Sequence, residues 1–442
     1  MTAVSPVTSP RGNVITGHLS DFGKDPLAFL TRTARDHGPV ARLRFGRMRA
    51  FLVCDPAMIE EILVRKRNDY VKAAAIRRQR RLFGNGLLIN EGESWARQRR
   101  LTQPAFHPVN LGRYVPAIIA HTERALDRWD SRETVNVHEE LQTLLMTIAA
   151  ECLFGPEVAP RAAAIGAAVD AAMAQYSARR GAARLLPEWF PLEESRRYAA
   201  GITELDQFVM ETVASRRQSR AERNDLLAML LAARDESGSP MSPAQIRDEA
   251  VNLFVGGFDT PSLAMAWTWY LLASHPDHAR RVYDEVDAIE AADIETDDIL
   301  KKLTYTQLVL RESMRLYPPA YLLGREAVRD TELGGIAIPR GSTVLISQWV
   351  MHRHPAYFEE PLAFKPQRWE NGLSLPRFVY FPFGAGPRVC IGAALATLEC
   401  TLVLAMIAKR FKFEMSDPSP VEPYATMTLR PRSVMHGRVS PR

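Results

Sequence analysis

Cysteine is scarce in this 442-residue chain, and the four thiols present, Cys54, Cys152, Cys390 and Cys400, are too scattered for a disulfide framework. None belongs to a Cys-x-x-Cys pair, so structural zinc and dithiol redox chemistry are not indicated, and a reducing, intracellular compartment fits. No stretch reaches the ~18 uninterrupted apolar residues of a membrane span. The opening MTAVSPVTSPRGNVITGHLS has no apolar run of signal-peptide length, so a cytoplasmic protein with no membrane span is expected. Internal repeats and low-complexity linkers are also missing, which excludes solenoid architectures. Stacking aromatics do not interleave the basic run Arg77, Arg78, Arg80 and Arg81, which speaks against a nucleic-acid partner. The net charge of +5 and pI near 9.0 leave a solvated surface, an acidic protein or an anionic cofactor as readings of that charge.

What is present describes a chain able to bury a large core: 46% hydrophobic and 24% charged residues. VARLRF (40–45) and RAFLVC (49–54) flank Gly46-Arg47-Met48 and read as a hairpin, and Asp55-Pro56 supplies an N-cap and first-turn proline. From there to about residue 316 helical periodicity dominates. Ser242-Pro243 opens its longest segment, apolar from Ile246 to about Ala273, a helix of roughly 45 Å at 1.5 Å per residue that should lie at the centre of the fold. After Tyr317-Pro318-Pro319 the pattern turns to strands in YLLGREAV and GIAIPRGSTVLIS. A proline-punctuated loop follows, then a last helix from about Gly392 to Phe411, and ATMTLRP reads as one more strand. The predicted organisation is an N-terminal tail (1–24) and a single mainly α domain (25–442) with a small β-rich lobe.

The chemistry concentrates in Phe383-Gly384-Ala385-Gly386-Pro387-Arg388-Val389-Cys390-Ile391-Gly392. Two glycines allow a tight turn and close approach to a flat cofactor. The cysteine then meets the positive end of the following helix, which favours thiolate over thiol. Every defining position of this segment resembles the haem-binding loop of the cytochrome P450 family, Phe-x-x-Gly-x-Arg-x-Cys-x-Gly, in Phe383, Gly386, Arg388, Cys390 and Gly392. Cys54, Cys152 and Cys400 have no such setting and are assigned to packing.

Further motifs extend the resemblance from roughly Asp25 to Pro431. Glu312-Ser313-Met314-Arg315, followed by Leu316-Tyr317-Pro318-Pro319 and later by Pro366-Gln367-Arg368-Trp369, resembles the family's Glu-Arg-Arg core; Gln367 stands where the family often has Glu. Gly256-Gly257-Phe258-Asp259-Thr260 resembles its oxygen-activating signature. Splitting O₂ needs two protons, which an acid beside an alcohol can relay, so the resemblance implies catalytic roles for Asp259 and Thr260. Pro261 lacks an N–H, so it should free the Gly257 carbonyl and kink the helix. Trp95 and Arg99 match the family's Trp-x-x-x-Arg pair, and with Arg325 and Arg388 they are the implied holders of the haem propionates.

The resemblance thus implies the cytochrome P450 fold, b-type haem with Cys390 as the iron ligand, and hydroxylation or epoxidation of a hydrophobic substrate with O₂. Electrons would come from a ferredoxin or flavodoxin-type donor with its reductase, docked where Arg97 and Arg100 ring the sulfur side. A peroxide-driven peroxygenase and a non-catalytic haem sensor or carrier are the alternatives; Asp259 and Thr260 count against both. The wording of Glu312–Pro319 is closest to the fatty-acid-hydroxylase, carotenoid-hydroxylase and microsomal branches, and terpenoid, carotenoid, fatty-acyl and polyketide substrates all fit, with terpenoid or carotenoid favoured. Ala320 to Leu323, Phe254, Phe258 and Leu185-Leu186-Pro187-Glu188-Trp189-Phe190 either line the cavity or belong to ordinary core.

Overall fold

Ser242 starts the helix around which the chain is assembled. Its hydroxyl accepts from the Gln245 N–H (3.2 Å) while the Gln245 side chain accepts from the Ser242 N–H (3.1 Å), a closed capping box with Pro243 in the first turn. The helix runs Pro243–Ser274 and is continuous through Pro261. It is buried on nearly every side, which explains why its apolar residues wrap all round it. Helices Val137–Phe154, Glu193–Gln218, Thr304–Leu316 and Ala393–Arg410 pack around it. The computed structural model describes residues 7–158, 166, 193–218, 223, 225–290, 299–370 and 372–442, and the Leu185–Phe190 segment lies outside them.

The β-rich lobe is a five-stranded sheet in the order Val40–Phe45, Met48–Val53, Thr343–Ile346, Leu323–Ala327, Tyr70–Lys72. Only the Met48–Val53 and Thr343–Ile346 pair is parallel. Tyr70–Lys72, inside a stretch whose periodicity reads as helical, is recruited as an edge strand, and its register sets Lys72 opposite Arg325. The two halves of GIAIPRGSTVLIS go to different sheets, because Ile336–Ile338 folds back on Thr331–Leu333 across Gly334-Gly335. ATMTLRP is not one strand: Thr426 turns the chain by bonding Thr428 through both N–H (2.9 Å) and hydroxyl (2.8 Å), so Pro423–Ala425 and Leu429–Pro431 form a hairpin. Ahead of Asp25, Leu19–Lys24 is helical and Thr8 bridges to Ala41 at the sheet edge.

Glu312 anchors the route from this lobe to the cysteine loop. Fully buried, it receives Arg315 (2.8 and 2.9 Å), Arg368 (2.9 Å), the Trp369 indole (2.9 Å) and the Lys365 N–H (3.0 Å). Arg315 spends its remaining donors on the carbonyls of His352, Pro361 and Ala363. His352 in turn accepts from the Phe381 N–H (2.9 Å), and burial pushes its imidazole down to about 3, so it stays neutral and able to accept. A buried ion pair with one partner removed leaves an uncompensated charge, and here two guanidiniums would face each other. Glu312→Ala should therefore destabilise the protein by about 3–5 kcal/mol in urea unfolding, and a loss below ~1 kcal/mol would refute this account of the core.

Candidate active site

Two glycines set the path of the cysteine loop. Gly384 and Gly386 have φ of 71° and 72°, and a Cβ on Gly386 would come within 2.5 Å of the Leu63 carbonyl oxygen. The loop closes on itself where the Cys390 N–H donates to the Phe383 carbonyl (2.9 Å), and Gly392 caps the helix Ala393–Arg410. Of the four thiols, Cys390 alone is exposed; Cys54, Cys152 and Cys400 are buried, and burial pushes each of them well above the ordinary thiol range. Cys390 nevertheless sits deep among protein atoms. Desolvation raises its pKa, opposed by the Gly392 N–H and by the positive charge of Arg99, so it lies on an inward-facing wall rather than on the outer surface.

Next to this loop basic side chains outnumber their counter-ions. Arg388 lies over the Trp95 ring (4.2 Å), donates to the Asn90 carbonyl (3.0 Å) and pairs with Glu91. Burial, and then the charge of Arg388, lower Arg325 to about 10. Lys72 is lowered to about 7 for the same two reasons and donates to the carbonyls of Leu87 and Leu88. Glu91 accepts from the Lys72 N–H (2.7 Å). Glu249, which also acts on Lys72, is itself raised to about 8 by burial and so is largely protonated. A cluster of cations held against one ionised carboxylate is short of negative charge, and the two propionates of a haem are the kind of group it fits.

The structure thus brings Trp95, Arg325 and Arg388 together and adds Lys72, for which a lone lysine in a helical-looking stretch gave no signal. Arg99 instead faces the sulfur side, donating to the Val389 carbonyl (3.0 Å). Arg97 is not available to ring that side: Asp235 binds it at 2.6 Å, and Arg100 lies beside Glu236 (3.5 Å). Arg311 and Arg377 are found there, in a cleft of about 600 Å³ between the Thr304–Leu316 helix, the last helix and the loop residues Phe383 and Val389.

On the central helix, Leu253, Gly256, Gly257 and Thr260 form a half-exposed to exposed stripe on an otherwise buried surface. A Cβ on Gly256 would meet nothing within 4 Å. Thr260 donates its hydroxyl proton to the Gly256 carbonyl (3.0 Å), which leaves its oxygen lone pairs available to accept. Asp259 points elsewhere. It is 3% exposed and ion-paired with Arg430 of the C-terminal hairpin, a partner that nothing local in sequence indicates. Phe254 and Phe258 are core residues, their rings tilted against each other (5.2 Å between centroids) with Phe254 also against Phe154 (6.1 Å), while Tyr321 is buried and donates to the Thr426 carbonyl (2.9 Å). Leu322 and Leu323 are half-buried.

Comparison with known proteins adds the context. Cyclooctatin synthase of Streptomyces melanosporofaciens is 33% identical over 430 residues, 95% of this chain and 93% of that one. Cyclooctat-9-en-7-ol 5-monooxygenase of the same organism is 33% identical over 415 residues, covering 92% and 89%. A solved structure of cyanobacterial CYP120A1 with retinoic acid bound superposes with a TM-score of 0.89 over 99% of both chains; at 23% identity it shows the shared fold. The cytochrome P450 family model matches residues 7–436, and the chain therefore belongs to the cytochrome P450 family, monooxygenases that bind haem b and combine O₂, electrons from a redox partner and a hydrophobic substrate.

Proposed function

We propose that this monooxygenase hydroxylates or epoxidises a bulky terpenoid-class substrate, with Cys390 as the iron ligand; the reading is carried by Cys390 being the one exposed thiol of the four and standing at a helix N-terminus. When bound, haem supplies the O₂ activation and oxidising power, which a thiolate ligand strengthens by donating electron density. The protein's part is to keep that thiolate ionised and its surroundings ordered. The Gly392 N–H and Arg99 stabilise negative charge on Cys390, Phe383 takes the hydrogen bond that closes the loop, and Trp95, Arg325, Arg388 and Lys72 receive the carboxylates. The substrate class rests on half-buried Leu322 and Leu323 and on the cyclooctat-9-en-7-ol in the name of one relative.

Proton delivery falls to Asp259 and Thr260. Thr260, on the open stripe, is placed to hold a water or a reacting oxygen through its free lone pairs. Asp259 is the carboxyl group that relays protons towards it, and Arg430 is a positioning residue that holds this carboxyl on the far side of the helix. A cytoplasmic ferredoxin or flavodoxin-type donor with its reductase would approach the sulfur side, where Arg311 and Arg377 offer charge to an acidic partner.

The test is turnover with surrogate donor proteins, measured beside turnover with hydrogen peroxide. Cys390→Ala should abolish the carbonyl-complex spectrum of a thiolate-ligated haem; its persistence would overturn the ligand assignment. Thr260→Ala should lower product formation by about 10² while NAD(P)H consumption continues and releases hydrogen peroxide. Equal peroxide-driven and donor-driven rates in the unaltered enzyme would instead favour the peroxygenase reading. Arg430→Ala should enlarge the solvent deuterium isotope effect on product formation and Arg430→Lys restore it, with substrate-induced spectral shifts unchanged in both.

A further inference from the structure

Val14 and Ile15 are 90% and 82% exposed, side by side at the tip of a turn that is unusually well supplied with internal hydrogen bonds. Asn13 and Gly17 exchange N–H and carbonyl bonds (both 2.9 Å), and the Asn13 side chain accepts from the N–H groups of Ile15 (2.9 Å) and Thr16 (3.1 Å). Arg44, from the strand Val40–Phe45, donates to the carbonyls of Asn13 (2.7 Å), Val14 (2.7 Å), Ile15 (3.1 Å) and Gly46 (3.1 Å). The Thr16 carbonyl takes the Gly46 N–H (2.9 Å). Every carbonyl from Asn13 to Gly17 is therefore bonded within the protein. A turn that stays in water has no need of this, since water satisfies its carbonyls. A turn that leaves water must satisfy them internally.

The charge around this tip points the same way. Arg11, Arg42, Arg47 and Arg49 are exposed, and none makes an ion pair with an acid among the described residues. Arg49 stands directly opposite Arg44 across the hairpin, an unfavourable like-charge pairing that a nearby anion would relieve. Met48, between Arg47 and Arg49, adds a third exposed apolar side chain at 41%. No helix among the described residues is long and apolar enough to cross a membrane.

We propose that the Asn13–Gly17 turn and the Gly46–Arg49 hairpin end form a peripheral docking surface for an anionic lipid bilayer, with Val14 and Ile15 entering the headgroup boundary and the flanking arginines binding lipid phosphates. An acidic protein surface would match the arginines, but it makes no use of two projecting β-branched side chains on a turn whose carbonyls are all bonded within the protein. The inference goes beyond the monooxygenase reading and does not depend on it.

Sedimentation of the haem-loaded full chain with vesicles tests it. Binding is expected to phosphatidylcholine vesicles containing roughly a third phosphatidylglycerol, and not to phosphatidylcholine alone. The double change Arg47→Ala and Arg49→Ala should weaken partitioning about thirtyfold, and Val14→Ser with Ile15→Ser about tenfold. The carbonyl-complex spectrum and thermal unfolding should stay as in the unaltered protein, which separates surface loss from misfolding. Failure to bind the anionic vesicles would overturn the proposal. So would binding that the arginine changes weaken and the Val14 and Ile15 changes leave intact, the result expected of an acidic protein partner's site.

Discussion

A thiol can serve as an anionic ligand only where the cost of burying its charge is met, and Cys390 sits where burial alone would retain the proton. The counterweights are few: one N–H at the start of the last helix and the positive charge of Arg99. Both depend on the loop being placed to within a fraction of an ångström, since hydrogen-bond strength falls steeply with geometry. That placement is not local. It runs from Glu312 through Arg315 to the His352 carbonyl, from the His352 ring to the Phe381 N–H, and from Phe381 into the Gly384 turn (2.9 Å). A buried charged cluster is seldom the cheapest way to stabilise a core. Here its directional bonds fix a loop that an apolar contact would leave free to slide.

The same trade appears on the carboxylate-binding side. Lys72, Arg325 and Arg388 all have their protonated forms disfavoured by burial, Lys72 and Arg325 also by the charge of Arg388, with Glu91 as compensation. Such a cluster would gain from a dianionic guest. Glu91 does two jobs in this arrangement. It pairs with Arg388, and it ties down the Lys72 backbone, so the edge strand and the cysteine loop are held to one carboxylate.

What was legible in the residues follows a physical line. The cysteine loop, the Ser242 cap, Asp55 as an N-cap and the Glu312–Arg315 pair are local patterns whose partners lie within a few residues, and each appears where its spacing places it. Lys72 and Arg430 act through partners far along the chain, 253 residues away for Lys72 opposite Arg325 and 171 for Arg430 beside Asp259. No periodicity carries such information. Tyr70–Lys72 is a strand because an edge was open to it, and the ATMTLRP segment is two strands because Thr426 and Thr428 close a turn that alternation alone does not reveal. Arg97 looked like surface charge for a partner, and Asp235 takes it instead.

The central helix divides its work between two faces, and this division constrains how protons can move. Residues 259 and 260 are adjacent in sequence but about 100° apart around the axis. Thr260 looks onto the open stripe with Gly256, while Asp259 is turned into protein against Arg430. In the role proposed for Asp259, a proton taken up there would have to travel around the helix, by rotation of the carboxyl away from its guanidinium or along water. Pro261 removes the N–H that the Gly257 carbonyl would otherwise accept, which leaves one backbone oxygen beside this route for water to use. Arg430 belongs to a hairpin whose Leu429 is bonded both to the Trp267 indole (3.0 Å) and to the Pro319 carbonyl (2.9 Å). The cation paired with Asp259 is thus joined through the hairpin to the Tyr317-Pro318-Pro319 turn leading to Arg325, so in the proposed mechanism the positions of the acid and of the basic cluster would be set by one segment.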